Sequence, residues 1–378
     1  MPPSEQQELL RATAKDFAGR ELAPNAATVD EREEFPEEAF RGLAALGLCG
    51  LTISEDAGGA GGGYADIATV IEEIAVACGS SSTIYITHVS LGTAAIARFA
   101  NAPQLQRFVP PLASGEKIAA FALTEPGTGS DALGMATSAK LDGDDYILNG
   151  TKTFITNGTH AETFVVFANS DRDAGYKGIN ALVVERGTEG FSTNHLTGKM
   201  GMKGSGTAEL VFEDCRIPAS NRLGEEGGGY SVALSTLTTS RVSIAAQCIG
   251  MARGAYEAAL SYSQQRKTFG KPISEHQTIA FMLADMATEI DAARLLTHRA
   301  AEIIDSGGNP VKESAMAKLY SSEVLGRVAT KAVQIHGGTG YFKPSIVERI
   351  FRDAKVTEIY EGTSEIQRLI ISRSILDS

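Results

Sequence analysis

Apolar residues recur with three different periods along the chain, and each period predicts a different kind of structure. Over residues 1–120, positions such as Leu10, Ala14 and Phe17 repeat at helical spacing, and Pro36 followed by two acidic residues is typical of a helix start. Residues 58–63 (GGAGGG) follow no clear strand and lack the glycine order of a dinucleotide fingerprint, so they predict a loop. We therefore expect an all-helical N-terminal domain over residues 1–120.

From about residue 121 the apolar period becomes two. Strand-like runs occupy residues 163–167, 179–184 and 208–213, and Gly, Asn and Asp turns separate them. Strand and helix do not alternate, which argues against a parallel sheet. The pattern predicts a compact antiparallel β domain over residues 121–228.

Beyond residue 228 the chain is rich in Ala and Leu and has few helix-breaking residues. Ile279, Met282, Met286 and Ile290 belong to one helical stripe, and breaks at residues 307–310 and 336–340 separate long helices. Long helices with short connections predict a four-helix-bundle-like domain over residues 229–378. The expected fold class is multidomain α+β, in the order helical domain, β domain, helical bundle.

Composition narrows the possible functions. The chain has 378 residues with 43% hydrophobic and 21% charged residues, which is typical of a soluble globular protein with two or three domains. Its 34 basic and 46 acidic residues give a net charge of −12, and no basic face for nucleic acid is visible. No run approaches the roughly 20 apolar residues of a membrane span. The first residues show neither a signal nor a transit pattern, so we expect a cytoplasmic protein.

Cysteine and histidine usage argues against disulfides and against a metal centre. The four cysteines are widely spaced without a CxxC motif, and they are expected to be buried, reduced thiols. The six histidines are scattered and form no cluster with cysteine, so no metal site is predicted.

The most informative motif lies near the C-terminus, at residues 359–368 (IYEGTSEIQR). Glu361 precedes a Gly-Thr-Ser break, and Ser364 and Gln367 have the spacing of a capping box, so a helix is expected to start there. If Ile359 and Tyr360 partly shield this carboxylate from water, its pKa is raised and it can act as a general base. The alternative is a surface glutamate at a helix end.

Four further segments occur in order with this motif: residues 121–131 (FALTEPGTGSD), 149–158 (NGTKTFITNG), 266–272 (RKTFGKP) and 334–340 (QIHGGTG). With all five motifs, the chain resembles the acyl-CoA dehydrogenase family over essentially its whole length. Each match alone is only moderately specific. The five together, in order and at the spacing of the family, carry the resemblance.

The resemblance implies FAD as the cofactor and an acyl-CoA as the substrate. Substrate contacts would come from Ser130, Thr238, Arg241, Tyr360 and Gly362, although many family members carry an acidic residue where Thr238 stands. The implied cofactor contacts are Phe121, Leu123, Thr124, Gly129, Ser130, Phe154, Ile155, Thr156, Arg266, Phe269, Gln277, Gln334, Ile335, Gly337, Gly338, Thr363 and Glu365.

Physical chemistry supports several of these assignments. The hydroxyls of Thr124 and Thr156 suit the polar edge of an isoalloxazine, and Phe154 would lie against its rings, where the family often has Trp. Gly129 permits close approach of the backbone. The planar guanidinium of Arg266 can donate two parallel hydrogen bonds to a pyrophosphate. The alternative is that Arg266 belongs to a cluster of solvent-exposed surface charges.

The resemblance also implies a mechanism and an assembly. Glu361 would remove the α-proton while the β-hydride passes to flavin N5, which yields a trans-2-enoyl-CoA and passes electrons to electron-transfer flavoprotein. A homotetramer, built as a dimer of dimers, would place the flavin site at a subunit interface.

Three alternatives remain open from the sequence. They are an oxygen-using acyl-CoA oxidase, which usually has an extra C-terminal domain, a nitroalkane-oxidase-like relative, which uses Asp as its base, and a non-catalytic partner subunit of an active homologue. Acyl-chain length also stays open, with a short, medium or branched substrate preferred. Residues 80–95, with Tyr85 and His88, are candidates for shaping the pocket.

Overall fold

The structure, a computed structural model, describes residues 4–376. Its N-terminal part is helical, as the apolar spacing predicts, and the third helix begins at Glu37 directly after Pro36. Two π-helical segments, Ala18–Leu22 and Thr87–Thr93, continue the first and fifth helices. The α-helices of this part are α1 (Glu5–Phe17), α2 (Ala26–Arg32), α3 (Glu37–Ala45), α4 (Tyr64–Ala77), α5 (Gly79–Ile86), α6 (Ala94–Phe99) and α7 (Ala102–Ala113).

A twisted β-sheet follows these helices. Its strands are β1 (Ala119–Ala122), β2 (Ser138–Asp142), β3 (Asp145–Ile155), β4 (Thr163–Asn169), β5 (Ile179–Glu185), β6 (Phe191–His195), β7 (Ala208–Pro218) and β8 (Arg222–Leu223). The spatial order is β6-β7-β3-β2-β4-β5-β8, with β1 beside β4. All residues of β4 are buried, so this strand lies at the centre of the β domain.

The sheet is mixed, so the expectation of a wholly antiparallel domain is wrong in this detail. β1 runs parallel to β4, from Ala119 opposite Thr163 to Ala122 opposite Val166, and β2 meets β4 in parallel at Ser138. The chain shows no βαβ rhythm because the β2–β3 hairpin, not a helix, connects β1 to β4. The order of a helical, a β and a second helical part is confirmed.

The C-terminal part is a helical bundle, as predicted. Its helices are α8 (Gly229–Gln265), α9 (Gln277–Asp305), α10 (Val311–His336), α11 (Gly338–Tyr341), α12 (Ile346–Thr357) and α13 (Ser364–Leu376). A short hairpin of β9 (Lys267–Thr268) and β10 (Lys271–Pro272) joins α8 to α9. The predicted breaks lie where α9 and α10 end, and the exact domain boundaries stay predictions.

Helices α4 and α8 approach so closely that glycine is required at the contact. A Cβ atom on Gly250 of α8 would lie 2.2 Å from the Glu72 carbonyl oxygen of α4, and one on Gly254 would lie 2.7 Å from the Val76 oxygen. Both N-terminal and C-terminal helices therefore contribute to one continuous apolar core.

A cluster of buried charges crosses the same contact. The carboxylates of Glu72 and Glu73 on α4 are almost completely buried. Arg11 of α1 lies 3.0 Å from Glu73, while Arg253 of α8 and Arg294 of α9 lie 2.7 and 3.1 Å from Glu72. The cluster thus ties helices from both ends of the chain together.

Two further sequence expectations concern the thiols and the membrane. All four cysteines are buried with free thiols, as predicted. Within residues 4–376, no helix has the length and apolar character needed to cross a bilayer.

Candidate active site

Glu361 lies in the loop that joins α12 to α13. Its backbone is left-handed, with φ 52°, and Gly362 follows with φ 92°. Helix α13 begins at Ser364, as predicted, but the cap differs from the expected capping box. The Thr363 hydroxyl accepts from Ile366 N at 3.3 Å, so Thr363 and not Ser364 caps the helix.

The Glu361 carboxylate has a hydrogen-bond donor on α8 and two cations near it, Arg241 on α8 and Lys318 on α10. The Ser240 hydroxyl of α8 donates a hydrogen bond to Glu361 Oε2. Burial raises the pKa of Glu361 to about 7, against the opposing effects of Ser240, Lys318 and Arg241. A carboxylate with this pKa is half ionised near neutral pH, which suits a general base.

Two side chains hold the backbone of the Glu361 loop. Lys318 Nζ donates to the Gly362 carbonyl at 2.7 Å. Gln367 Nε2 donates to the same carbonyl at 2.8 Å and to the Glu361 carbonyl at 3.1 Å. The left-handed turn is therefore fixed by buried donors on α10 and α13.

Tyr360 connects the loop to the N-terminal helices. Its hydroxyl donates to Gln247 Oε1 on α8. The Gln247 amide in turn donates to the Ser82 and Thr83 hydroxyls of α5, at 2.8 and 2.7 Å. This polar group, Tyr360–Gln247–Ser82–Thr83, lies directly beside the Glu361 loop.

Arg241 is a buried cation without a hydrogen-bond partner among residues 4–376. It is 4% exposed, and its Nε atom is buried and unsatisfied. Burial lowers its pKa, and Glu361 opposes that effect. The neighbouring Thr238 is partly exposed and bonds only to Leu234 O, at 2.8 Å.

A second group of predicted residues meets where β1 and β3 end. Thr153 N donates to Thr124 O at 2.9 Å, which places the two segments side by side. Phe154 is left-handed, with φ 58°, and its side chain is 70% exposed, while Ile155 is buried. The hydroxyls of Thr124 and Thr156 have no hydrogen-bond partner within the described part of the chain, so both are free to contact a ligand.

A buried ion pair supports this second group. Lys152 Nζ lies 2.7 Å from Glu125 Oε1 and 3.1 Å from Leu123 O. Glu125 also accepts from the backbone of Thr137 at 3.0 Å. Burial raises the pKa of Glu125, but Lys152 and the backbone donors of Thr137 and Ala136 hold it below its usual range. The pair anchors the backbone next to Thr124.

The remaining residues of the first two motifs differ in exposure. Phe121 and Leu123 are partly buried and pack against the core between sheet and helices. Gly129 and Ser130 are exposed in the loop after Glu125, and a Cβ atom on Gly129 would meet nothing within 4 Å. This loop is open to a ligand from one side.

A third group lies at the far end of the bundle. Phe269 stands at the tip of the β9–β10 hairpin and is 97% exposed, and Arg266 and Gln277 are exposed on either side of it. The end of α8, which leads into the hairpin, contacts the end of α10, where the Tyr262 ring stacks on His336 at 4.4 Å. Gln334, Gly337 and Gly338 are exposed at that junction, whereas Ile335 lies in the core. Thr363 and Glu365 belong instead to the start of α13.

Tyr85 and His88, candidates for shaping the pocket, each have structural partners. Tyr85 is completely buried and donates to Leu48 O at 2.8 Å. His88 bridges Leu112 O and Ala119 N, both at 3.0 Å, and burial lowers its pKa to about 4. The imidazole is therefore neutral and ties α7 to β1.

Sequence reasoning missed the residues that surround the predicted base. Ser240, Lys318, Gln367 and Gln247 lie outside the assigned site, although Gln367 belongs to the same motif as Glu361. The available signal was the placement of Lys318 among the small residues Ala315, Ala317, Ser321 and Ser322 of α10, a pattern typical of a buried helix face.

Comparison with known proteins agrees with this arrangement along the whole chain. The models of the N-terminal, middle and C-terminal domains of acyl-CoA dehydrogenase match residues 4–116, 120–215 and 227–376. The short-chain specific acyl-CoA dehydrogenase of Clostridium acetobutylicum is 45% identical over 370 residues, which are 98% of each chain.

Solved structures give the same result. The butyryl-CoA dehydrogenase of Megasphaera elsdenii superposes with a TM-score of 0.98 at 40% identity, over 100% of this chain and 99% of that one. A chain from structural work on the electron transferring flavoprotein of Acidaminococcus fermentans and flavin-based electron bifurcation superposes with a TM-score of 0.99 at 41% identity, over 100% of both chains.

The chain is an oxidoreductase by fold and by its relatives. It belongs to the acyl-CoA dehydrogenase family, and the resemblance carried by the five motifs is confirmed.

Proposed function

We propose that this protein oxidises a short saturated acyl-CoA to the trans-2-enoyl-CoA, with FAD as cofactor and Glu361 as the base. The observation that carries the proposal is the environment of Glu361, a carboxylate whose pKa burial raises to about 7 and whose position is fixed by Ser240. Family membership implies FAD, and the names of the relatives support an acyl-CoA substrate.

The residues present fit a flavin. Thr124 and Thr156 offer hydroxyls without partners in the described part of the chain, and the exposed Phe154 follows Thr153, whose backbone bonds to Thr124 O. Phe121, Leu123, Ile155, Gly129 and Ser130 would complete this part of the site. FAD, when bound there, supplies the acceptor for the β-hydrogen of the substrate.

The chain's own residues would perform the proton transfer. The Glu361 carboxylate takes the α-proton, and its backbone N–H is the expected donor to the thioester carbonyl, where negative charge develops. Tyr360 and Gly362 border the base, and Arg241 supplies a buried positive charge close to it. Enclosure by α8 and α10 keeps water away from the thioester.

A short acyl chain is favoured by the polar group beside the base. Tyr360, Gln247, Ser82 and Thr83 satisfy one another there, and a long alkyl tail entering this space would leave them unpaired. The short-chain and the butyryl-CoA dehydrogenase among the relatives support the same choice.

The exposed end of the bundle supports a shared cofactor site in a homotetramer. Arg266, Phe269, Gln277, Gln334 and Gly338 form an exposed surface with an unprotected aromatic side chain at its tip. A neighbouring subunit would bury that surface, and Arg266 would reach the pyrophosphate of its FAD. Gly337 and Ile335 lie in the same segment, and Thr363 and Glu365 would contact the cofactor from α13. Electron-transfer flavoprotein is the proposed electron acceptor, in keeping with the relative from flavin-based bifurcation.

The test compares the wild type with Glu361→Gln under anaerobic conditions with butyryl-CoA. Both proteins should be yellow with equal FAD content, while the rate of flavin bleaching in the variant should fall by roughly 10²–10⁴-fold. Glu323→Gln, which removes a surface partner of Arg368, is the matched control and should bleach at the wild-type rate.

Three results would overturn the proposal. Equal bleaching by Glu361→Gln and wild type would exclude Glu361 as the base. Rapid peroxide formation in air without an added electron acceptor would favour the acyl-CoA oxidase alternative, and a colourless wild type would favour a non-catalytic subunit.

A further inference from the structure

We propose that Lys318 is a positioning residue of the reaction, which holds the Gly362 carbonyl and places a fixed positive charge beside Glu361. This inference rests on the proposed function, in which Glu361 is the base. It assigns a task to a residue of α10 that has no role in the cofactor and substrate contacts described above.

The geometry of the contact supports a clamp. Lys318 is completely buried, and its Nζ atom lies 2.7 Å from Gly362 O. The Gln367 amide reaches the same oxygen at 2.8 Å, so both lone pairs of this carbonyl receive a donor. The peptide between Gly362 and Thr363, at the end of the Glu361 turn, is thereby held in orientation from two sides.

The backbone conformation explains why a clamp is needed. Glu361 has φ 52°, a region that residues with a side chain rarely adopt, and it is followed by a glycine at φ 92°. Such a turn persists only where its surroundings hold it. The peptide N–H of Glu361, the expected donor to the thioester, depends on the same turn.

A purely structural role does not account for a lysine at this position. The described residues give Lys318 no carboxylate ion pair, and its hydrogen-bond partner is a neutral carbonyl. Burial lowers the pKa of Lys318 to about 8. Burying a charge with an uncharged partner is unfavourable, and a neutral donor such as Gln367 can bond to the same carbonyl without that cost.

The charged and titratable groups that face Lys318 come from every side of the site. They are Arg241 and Cys248 on α8, Glu358 at the end of α12, and Glu361 in the loop. Around neutral pH the ammonium group favours the ionised form of Glu361, and so lowers the pKa of the base. Removal of the charge must therefore move proton uptake by Glu361 to higher pH.

The experiment measures the rate of flavin bleaching by butyryl-CoA as a function of pH. In Lys318→Met, the ascending limb of the pH–rate profile should move to higher pH by about one unit. This is the lower end of the pKa shift that a neighbouring opposite charge causes. Gln367→Met removes only a neutral donor, so it should lower the plateau and leave the limb in place. Lys318→Arg keeps the charge and should keep the limb.

Lys199→Met is the matched control for loss of a buried lysine. Lys199 also has its pKa lowered to about 8 by burial, but it bonds to Ser205 and Thr207 in the β domain, at 2.8 and 2.9 Å. The ascending limb of the pH–rate profile of Lys199→Met should coincide with that of the wild type. Where Lys318→Met does not fold with FAD, Lys318→Gln replaces it and carries the same expected shift.

The outcomes separate this inference from the proposed function. An unshifted limb in Lys318→Met or its replacement, or an equal shift in Lys199→Met, overturns the role of Lys318 while the wild type still bleaches normally. A wild type that butyryl-CoA does not bleach refutes the proposed function itself.

Discussion

The hydrogen bond between Ser240 and Glu361 yields a prediction about the pH range of the enzyme. Ser240→Ala removes the donor to Glu361 Oε2 without adding volume to the site. A donor to a carboxylate stabilises the ionised form, so its loss must raise the pKa of Glu361 above the value of about 7 in the intact protein.

The structure limits the size of this effect. A hydrogen bond to a charged group contributes about 1.5–3 kcal/mol, which corresponds to roughly one to two pKa units. However, Leu237 O lies 3.2 Å from Ser240 Oγ, so the hydroxyl can donate there and accept from the neutral acid of Glu361. Because both protonation states of Glu361 find a partner in Ser240, we take the lower end, about one unit.

The rate of anaerobic bleaching follows from these values. Near pH 7 about half of the wild-type carboxylates are ionised, against about one tenth in Ser240→Ala, so the rate should fall about fivefold. Well above the pKa of both proteins, the two rates should converge. Ser240→Thr retains the hydroxyl and is the control. A uniform loss of rate at all pH values, with an unmoved limb, would refute the reasoning.

Three further predictions concern stability and cofactor binding. Lys152→Met leaves Glu125 buried without its cation, so thermal unfolding should show a loss of about 3–5 kcal/mol, and the double variant with Glu125→Gln should recover much of it. Burial lowers the pKa of His88 to about 4, against 6.5 in the unfolded chain, so the folded protein loses about 3 kcal/mol of stability as the pH falls through this range. In His88→Gln, the melting temperature should therefore depend less on pH over the same range. Phe154→Ala should weaken FAD binding several-fold in an equilibrium titration, with little change in melting temperature of the apoprotein, because the ring is exposed.

The order of domains and the position of the base could be predicted because both are local properties of the sequence. Helical and strand periods are visible over a few residues, and Glu361 stands within a compact motif at a break between helices. The capping residue was placed one position too late, because Thr363 and Ser364 are equally suited to a cap and only the backbone decides between them.

The surroundings of the base could not be predicted, since they depend on distant contacts. Lys318 lies 44 residues from Gly362 along the chain, and Ser240 lies 121 residues from Glu361. The parallel pairing of β1 with β4 is equally non-local, since a hairpin lies between the two strands. The spacing of apolar residues along the sequence does not indicate which helix packs against which loop.

The charge cluster between α1, α4, α8 and α9 limits how this protein can be recombined with its relatives. Glu72 and Glu73 come from the first third of the chain, whereas Arg253 and Arg294 come from the last. A chimera with a crossover in the β domain would bury unmatched charges wherever the second parent lacks the partners of these carboxylates or arginines. Productive crossovers should therefore carry both sets from the same parent.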